Sequence, residues 1–371
     1  MEHSILITGG AGFIGSHLAD DLVRLGHSVR ILDNLCEQVH GPDGAIPTYL
    51  NPRAEIIQGD ICDRKTVAAA LKGAGAVVHL AAAVGVGQSM YQIEKYMQTN
   101  SLGTAVLLEE VIKNPVKKLV VASSMSIYGE GCYRTADNVR LTAGQRTHQQ
   151  LGDGVWDILD VNGAPLIPMP TPESKALTLS SVYALSKYDQ EMLCLMAGRT
   201  YGIPTVALRF FNVYGPRQAL SNPYTGVLAI FAARLLNNKP PLIFEDGRQQ
   251  RDFVSVHDVA RACRMALASD LKEEVLNIGS GQAYTIIEIA ELLAQVMGKP
   301  HIAPVITGKY RVGDIRHCYA DISRARRLLG YHPEISMTDG LAELCKWLAD
   351  QQAEDHVDRA HLELAERGLT V

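Results

Sequence analysis

The chain reads as an α/β protein: a doubly wound parallel sheet with a second, smaller mixed α/β lobe. Three observations predict this. Short β-branched runs alternate with longer helical patterns over the first 210 residues; those runs are apolar on both faces, as a sheet covered by helices requires; and the rhythm changes after Arg209. A length of 371 residues leaves room for two lobes, and 47% hydrophobic with 20% charged residues is the balance of a compact globular chain.

The strand-like runs follow in order: SILIT (4–8), SVRIL (28–32), AEIIQ (54–58), AVVHL (76–80), KLVVAS (118–123) and TVALRF (205–210). Beyond them the pattern predicts a helix over 226–238, a short strand at PLIFED, a helix over 257–269 with Asp258 as its cap, and strand and helix pieces onward to LNIGS. The first domain is therefore set at 1–210. Residues 211–371 are mainly the second lobe, with some segments returning to the first. Residues 131–180 interrupt the first domain with little periodicity and prolines at 165, 168, 170 and 172, and read as an inserted loop or lid. The charged stretch 350–368 reads as a peripheral helix. No internal repeat is visible.

Several function classes fall away on composition. Against 40 acidic residues stand 35 basic ones, scattered rather than clustered, so nucleic acid is not an expected partner. No apolar run reaches the length of a membrane span and the N-terminus has no signal-peptide pattern, which predicts a cytoplasmic protein without a membrane partner. Seven cysteines are an odd number, widely spaced, with no C-x-x-C pair and no histidines at zinc-site spacing; they are expected to be buried thiols, and no metal is expected.

The segment ILITGGAGFIGSHLADDL sets Gly9, Gly12 and Gly15 between the first strand and the first helix, with Phe13 and Ile14 among them as further cofactor contacts. Glycines there allow a tight turn and close backbone approach, so that a pyrophosphate rests on the helix N-terminus. Asp33 follows at the end of the second strand, where a carboxylate accepts hydrogen bonds from ribose hydroxyls and repels a 2′-phosphate; its neighbour is Asn34, not an arginine. NAD, rather than NADP, is the expected cofactor of this Rossmann arrangement. Further along, SVYALSK places Tyr183 and Lys187 one helical turn apart on one face, a phenol beside an ammonium.

Together TGGAGFIGSH, GDICD, HLAA, SSMSIYG, YALSK and RFFNVYGPRQ make the chain resemble an extended short-chain dehydrogenase/reductase, within the NAD-dependent sugar epimerase/dehydratase family, from residue 4 to about 345. The resemblance implies that Asp60 and Ile61 flank the adenine and that Leu80, Ala81 and Ala82 line the path of the pyrophosphate and ribose. Asn100 would belong to the central helix supporting the site. Tyr183 would be the base and Lys187 its partner and a ribose ligand, with Ser124 hydrogen-bonding the reacting sugar oxygen and Ser123 at the strand end beside it. Lowering a phenol pKa by roughly three units takes about 4 kcal/mol, which a buried ammonium and the positive nicotinamide ring are expected to supply.

Relatives that dehydrate resemble one another in an Asp-Glu pair after the Ser or Thr, and decarboxylases in a Glu at the second position; here the pair is Met125 and Ser126. Neither residue transfers protons well at neutral pH. Hydride removal and return at C4 of a nucleotide sugar, through a 4-keto intermediate, is what remains. For the substrate, the resemblance implies Phe210 near the nicotinamide, Asn212 on a phosphate, Arg251 and Arg311 on the diphosphate, and Val84 and Gly85 beside the hexose. The long 131–180 segment most resembles bacterial dTDP-L-rhamnose 4-epimerases, so dTDP-L-rhamnose and dTDP-6-deoxy-L-talose are the expected pair. Alternatives are a UDP-sugar 4-epimerase acting on UDP-glucose or UDP-glucuronate, a keto-sugar reductase, and a non-catalytic nucleotide-binding scaffold. A homodimer through a four-helix bundle is expected from segments 93–113 and 182–200.

Overall fold

A computed structural model of the chain describes residues 4–142, 144–311, 313–351 and 355–370. The first lobe is built from β1 (Ser4–Thr8), α1 (Phe13–Arg24), β2 (Val29–Asp33), β3 (Glu55–Gln58), α2 (Arg64–Leu71), β4 (Ala74–His79), α3 (Gly103–Lys113), β5 (Lys118–Ser124), α4 (Val182–Tyr201) and β6 (Thr205–Phe210). After residue 210 come α5 (Val227–Leu236), α6 (Val256–Ala268), β7 (Glu274–Ile278) and α7 (Val357–Glu366), of which α6 and β7 pack with the first lobe. Seven parallel strands lie in the order β7-β6-β5-β4-β1-β2-β3. This is the doubly wound sheet expected from the alternating runs. The order reverses around β1, so the loops after β1 and β4 leave the sheet side by side at its carboxyl edge, where such folds bind ligands.

Strand alternation divides the core. Ile5 and Ile7 of β1 join a cluster with Leu18 and Leu22 of α1 and Val259 of α6, while Leu6 joins the opposite one with Val67 of α2 and Leu107 of α3. Each such fully buried side chain contributes roughly 1.5–3 kcal/mol. Both faces are therefore closed, and only the carboxyl edge remains for a site. A third cluster, with Phe231 and Leu235 of α5, Leu293 and Leu344, forms the second lobe's own core.

β7 lies beyond residue 210 and returns to the first lobe, pairing in parallel with β6 and extending its sheet. One expectation is corrected. The cap of α6 is Ser255, whose Oγ accepts from His257 N at 3.3 Å; Asp258 sits inside the first turn and accepts from the backbone of Glu334 and Ile335, at 2.9 and 3.1 Å. Segment 93–113 is one helical run with a π-helical stretch, Met97–Leu102, between Ile93–Tyr96 and α3. Of the apolar residues on α4, Leu195 is buried in its own core whereas Met196 is 48% exposed.

Residues 131–180 are more ordered than a loop. Cys132–Arg134 pairs antiparallel with Arg140–Thr142 on one side and Ile167–Met169 on the other, over a small core of Tyr133, Ile158 and Leu166. Three-residue strands are too short to show periodicity in sequence. Buried ion pairs tie the unit to the second lobe: Arg146 donates to Glu245 at 2.8 Å, and Arg316 bridges Glu245 at 3.0 Å and Asp157 at 2.8 Å. That anchoring does not suit a freely opening lid.

Candidate active site

The turn after β1 requires its glycines for different reasons. Gly9 has φ +69°, and a Cβ there would lie 2.7 Å from Ala81 N; a Cβ on Gly15 would lie 2.5 Å from Gly9 O. The first position brings the loops after β1 and β4 together, and the third seats α1 against the turn. Gly12, by contrast, has only Gly9 O within range, at 3.4 Å, leaving its outer side open to a ligand. Asp33 closes the cradle, accepting from Ala11 N at 3.0 Å and Leu35 N at 2.9 Å, while Asn34 donates to Asp60 at 3.0 Å. Phe13 and Ile14 open α1, and Ile61 and Leu80 border the same edge, Leu80 N donating to Thr8 O at 3.0 Å. Ala82 continues from Ala81 in that loop.

Asn100 is differently employed. Its side chain accepts from Ala83 N at 2.7 Å and donates to Ala83 O at 3.0 Å and Ser186 Oγ at 2.8 Å. The π-helical stretch carries it into that position, a common use of such bulges. It supports the loop after β4 and is spent on protein partners rather than turned to a cofactor.

Ser124 ends β5, opposite Phe210 of β6. Its Oγ accepts from Ser126 N at 3.2 Å and Ser126 Oγ at 2.9 Å, which leaves its own proton free to donate outward. Ser123 beside it has a buried hydroxyl without a partner. Helix α4 starts at Ser181, which caps Ala184 N at 3.1 Å, and Tyr183 N is held by Ser89 Oγ at 3.0 Å. This brings Tyr183 to Ser124. Burial pushes the phenol above its usual value and the Ser124 hydroxyl pulls it back; among the described residues no carboxylate shifts it.

The expected pairing of Lys187 with the phenol takes another form. Lys187 donates to Gln190 Oε1 at 2.6 Å, and Gln190 in turn donates to Thr104 Oγ1 at 3.0 Å and Ala81 O at 3.2 Å, with His79 Nε2 also at 3.0 Å. Burial lowers the Lys187 ammonium to about 8 and the His79 imidazole to about 3. His79 is thus a neutral spacer between Thr8 and Thr104. Gln190 and Ser89 carry no mark in the sequence, and Ser126 is marked there only as the residue standing in place of a carboxylate; the offset of three from Lys187 is the one readable signal, for Gln190.

On the substrate side Val84 is half exposed, and Gly85, at φ +136°, abuts Tyr224: a Cβ would lie 3.1 Å from Tyr224 Cβ. Asn212 has a buried Oδ1 without a partner, and so does Arg311 at its Nε, with the Arg311 guanidinium stacked 4.3 Å over Phe244. Arg251 departs from its expected place on the diphosphate. It donates to Arg316 O at 3.0 Å and Gln250 O at 2.9 Å, and to Ile315 O, so it braces the neighbouring chain.

The fold and this edge define a Rossmann enzyme with a dinucleotide cradle beside a Ser/Tyr/Lys set. The chain belongs to the NAD dependent epimerase/dehydratase family, which it matches over residues 5–147 and 162–279. The break between those stretches falls inside the 131–180 unit. The chain is 34% identical over 352 residues, 94% of its length and 95% of the relative's, to a dTDP-L-rhamnose 4-epimerase of Burkholderia thailandensis. Among solved structures it is similar to a UDP-glucose 4-epimerase of Thermotoga maritima with UDP-glucose, at TM-score 0.76 and 32% identity over 93% of this chain and 98% of that one. It is also similar to a Bacillus cereus UDP-glucuronic acid 4-epimerase in complex with UDP-glucuronic acid and NAD, at TM-score 0.73 and 29% identity over 93% and 99%. NAD is the family's cofactor, and the open Gly12 and the Asp33 carboxylate fit it. Among the described residues no helix is long and apolar enough to cross a membrane.

Proposed function

We propose that this nucleotide-sugar 4-epimerase acts on dTDP-L-rhamnose, giving dTDP-6-deoxy-L-talose. The observation that carries the chemistry is Tyr183 against Ser124, with no carboxylate among the described residues acting on the phenol. Dehydration and decarboxylation need an acid or base beyond the Ser/Tyr pair, and Met125 and Ser126 stand where it would be. Bound NAD supplies the acceptor and then the donor of the C4 hydride. Tyr183 takes the proton of the 4-hydroxyl and returns it, Ser124 donates to the same oxygen, and Lys187 stabilises the phenolate and holds the ribose. Supporting the hexose assignment are the uncharged Val84 and Gly85, which give a uronate carboxylate no cation, and the similarity to the Burkholderia relative.

For the diphosphate we assign Asn212 and Arg311, with Arg251 acting through the chain it braces. Two copies pair through segment 93–113 and α4, which leave Ile93, Leu102, Leu185 and Met196 between 40% and 52% exposed. The seven free cysteines agree with a reducing, cytoplasmic setting. NMR of dTDP-L-rhamnose incubated with the purified protein, without added nicotinamide, tests the proposal: the C4 epimer is expected. Turnover of UDP-glucose or UDP-glucuronate instead establishes the second reading, favoured by the structural neighbours. Light scattering tests the dimer.

A further inference from the structure

The C-terminal segment crosses between the lobes and ends at the site. Asp355 and Asp358 anchor it to the second lobe: Lys239 donates to Asp355 at 2.8 Å and Arg234 to Asp358 at 2.8 Å. Helix α7 then lies against the loop that follows the hexose-flanking pair, where a Cβ on Gly87 would meet Leu364 at 3.2 Å. Glu363 accepts from Tyr224 Oη at 2.9 Å and Tyr91 Oη at 3.3 Å, and Arg367 stacks 4.3 Å over the Tyr91 ring. Finally Thr370 forms an antiparallel bridge with Arg311.

Two features of this path point to a ligand. Residues opposed in an antiparallel bridge share a face, with Cβ atoms about 4.5–5.5 Å apart, so the Thr370 hydroxyl and the Arg311 stem stand together. Both Thr370 Oγ1 and Arg311 Nε are buried without a partner. A buried donor or acceptor left without a partner is costly. Arg251, though spent on backbone carbonyls, is close enough that its charge opposes that of Arg311, and the Arg311 guanidinium beside an idle hydroxyl forms a site for an anion. The other end is equally placed, because Tyr224, held by Glu363, lies on Gly85 beside the Tyr96 hydroxyl.

We infer that residues 355–370 are a strap belonging to the nucleotide-sugar site: the Thr370 hydroxyl joins Arg311 as a ligand of the substrate diphosphate, while Glu363 positions Tyr224 against the hexose loop. This rests on the nucleotide-sugar reading above. A peripheral helix, expected from the charged 350–368 stretch, would have neither contact.

The test uses the full chain loaded with NAD and calorimetric titration with dTDP and UDP. Thr370→Val is expected to weaken binding of the preferred diphosphate about tenfold, the loss of one hydrogen bond to a charged group, and to raise KM by the same factor with kcat within about twofold. Thr370→Ser, which keeps the hydroxyl, restores both. Glu363→Ala raises KM for the sugar nucleotide while leaving dTDP or UDP binding near wild type. Unchanged nucleotide affinity in Thr370→Val overturns the inference, whether its melting temperature is kept or lowered, since the hydroxyl is then at most structural. Wild-type protein that binds neither nucleotide overturns the nucleotide-sugar reading and the strap together. Wild-type protein that binds one but epimerises nothing overturns the catalytic reading alone, and the affinities still decide the strap.

Discussion

The two halves of the site are finished to different degrees. On the cofactor side, the Ser123 hydroxyl apart, the polar groups already have protein partners: Asp33 receives two backbone N–H groups, Asn100 makes three hydrogen bonds, and Lys187 is held by Gln190. On the substrate side Asn212 Oδ1, Arg311 Nε and Thr370 Oγ1 are buried with nothing to bond. A half that is nearly complete without its ligand can be rigid and retain it through many cycles. A half with idle buried donors and acceptors is stabilised only when a polar ligand arrives, and such a ligand can leave again. This is the division of labour that a returning hydride demands: a resident dinucleotide and an exchanging sugar.

The largest effect should come from the group between the halves. Tyr183→Phe is expected to lower kcat by about 10³-fold, within the range of general acid–base catalysis, while NAD released on denaturation stays at the wild-type amount. The same phenol gives a pH test. Burial raises it, so in NAD-free protein its phenolate absorbance should appear above the ordinary tyrosine range; the NAD-loaded enzyme should bring it down, and kcat/KM should fall as pH drops through that lowered value. An unshifted phenol in the loaded enzyme would break the proposed role of Lys187 and the cofactor charge.

On the substrate side Arg311→Met should raise KM about 30-fold or more, as expected for removing a charge-assisted partner, and leave NAD content untouched. If NAD is lost as well, the two halves are not separable. On the cofactor side Gly9→Ala sets a Cβ 2.7 Å from Ala81 N at φ +69°. The backbone strain alone costs about 1 kcal/mol, so the protein should purify with little NAD and melt earlier, and added NAD should restore turnover. The smallest effect concerns Ser124. Ser126→Ala removes one of two hydrogen bonds onto its Oγ and should reduce kcat only about threefold, because the Ser126 N–H still orients the hydroxyl. A loss as deep as that of Tyr183→Phe would make Ser126 part of the proton path.

What the sequence determined by itself is the part written contiguously. The strand, the glycine turn and α1 follow within residues 4–24, Asp33 comes nine residues later, and Tyr183 and Lys187 share one helix; spacing along the chain fixes their geometry because a single element or turn carries it. The sheet was legible for the same reason, its inner strands being runs apolar on both faces, while β3 at the edge has Glu55 and Gln58 exposed. Tertiary structure alone decided that β7 completes that sheet, that Lys187 meets Gln190 and not the phenol, and that Arg251 braces backbone while Arg311 stays free. It also decided that residues 131–180 fold as a small sheet locked by Arg146 and Arg316, and that the charged C-terminal helix reaches Tyr91 and Tyr224 and the residues after it reach Arg311. Apart from the Lys187–Gln190 bond, which lies within one helical turn, these contacts join segments that are mostly tens to hundreds of residues apart. Which of several arginines or hydroxyls is left without a partner depends on every group packed around it, and no local pattern records that.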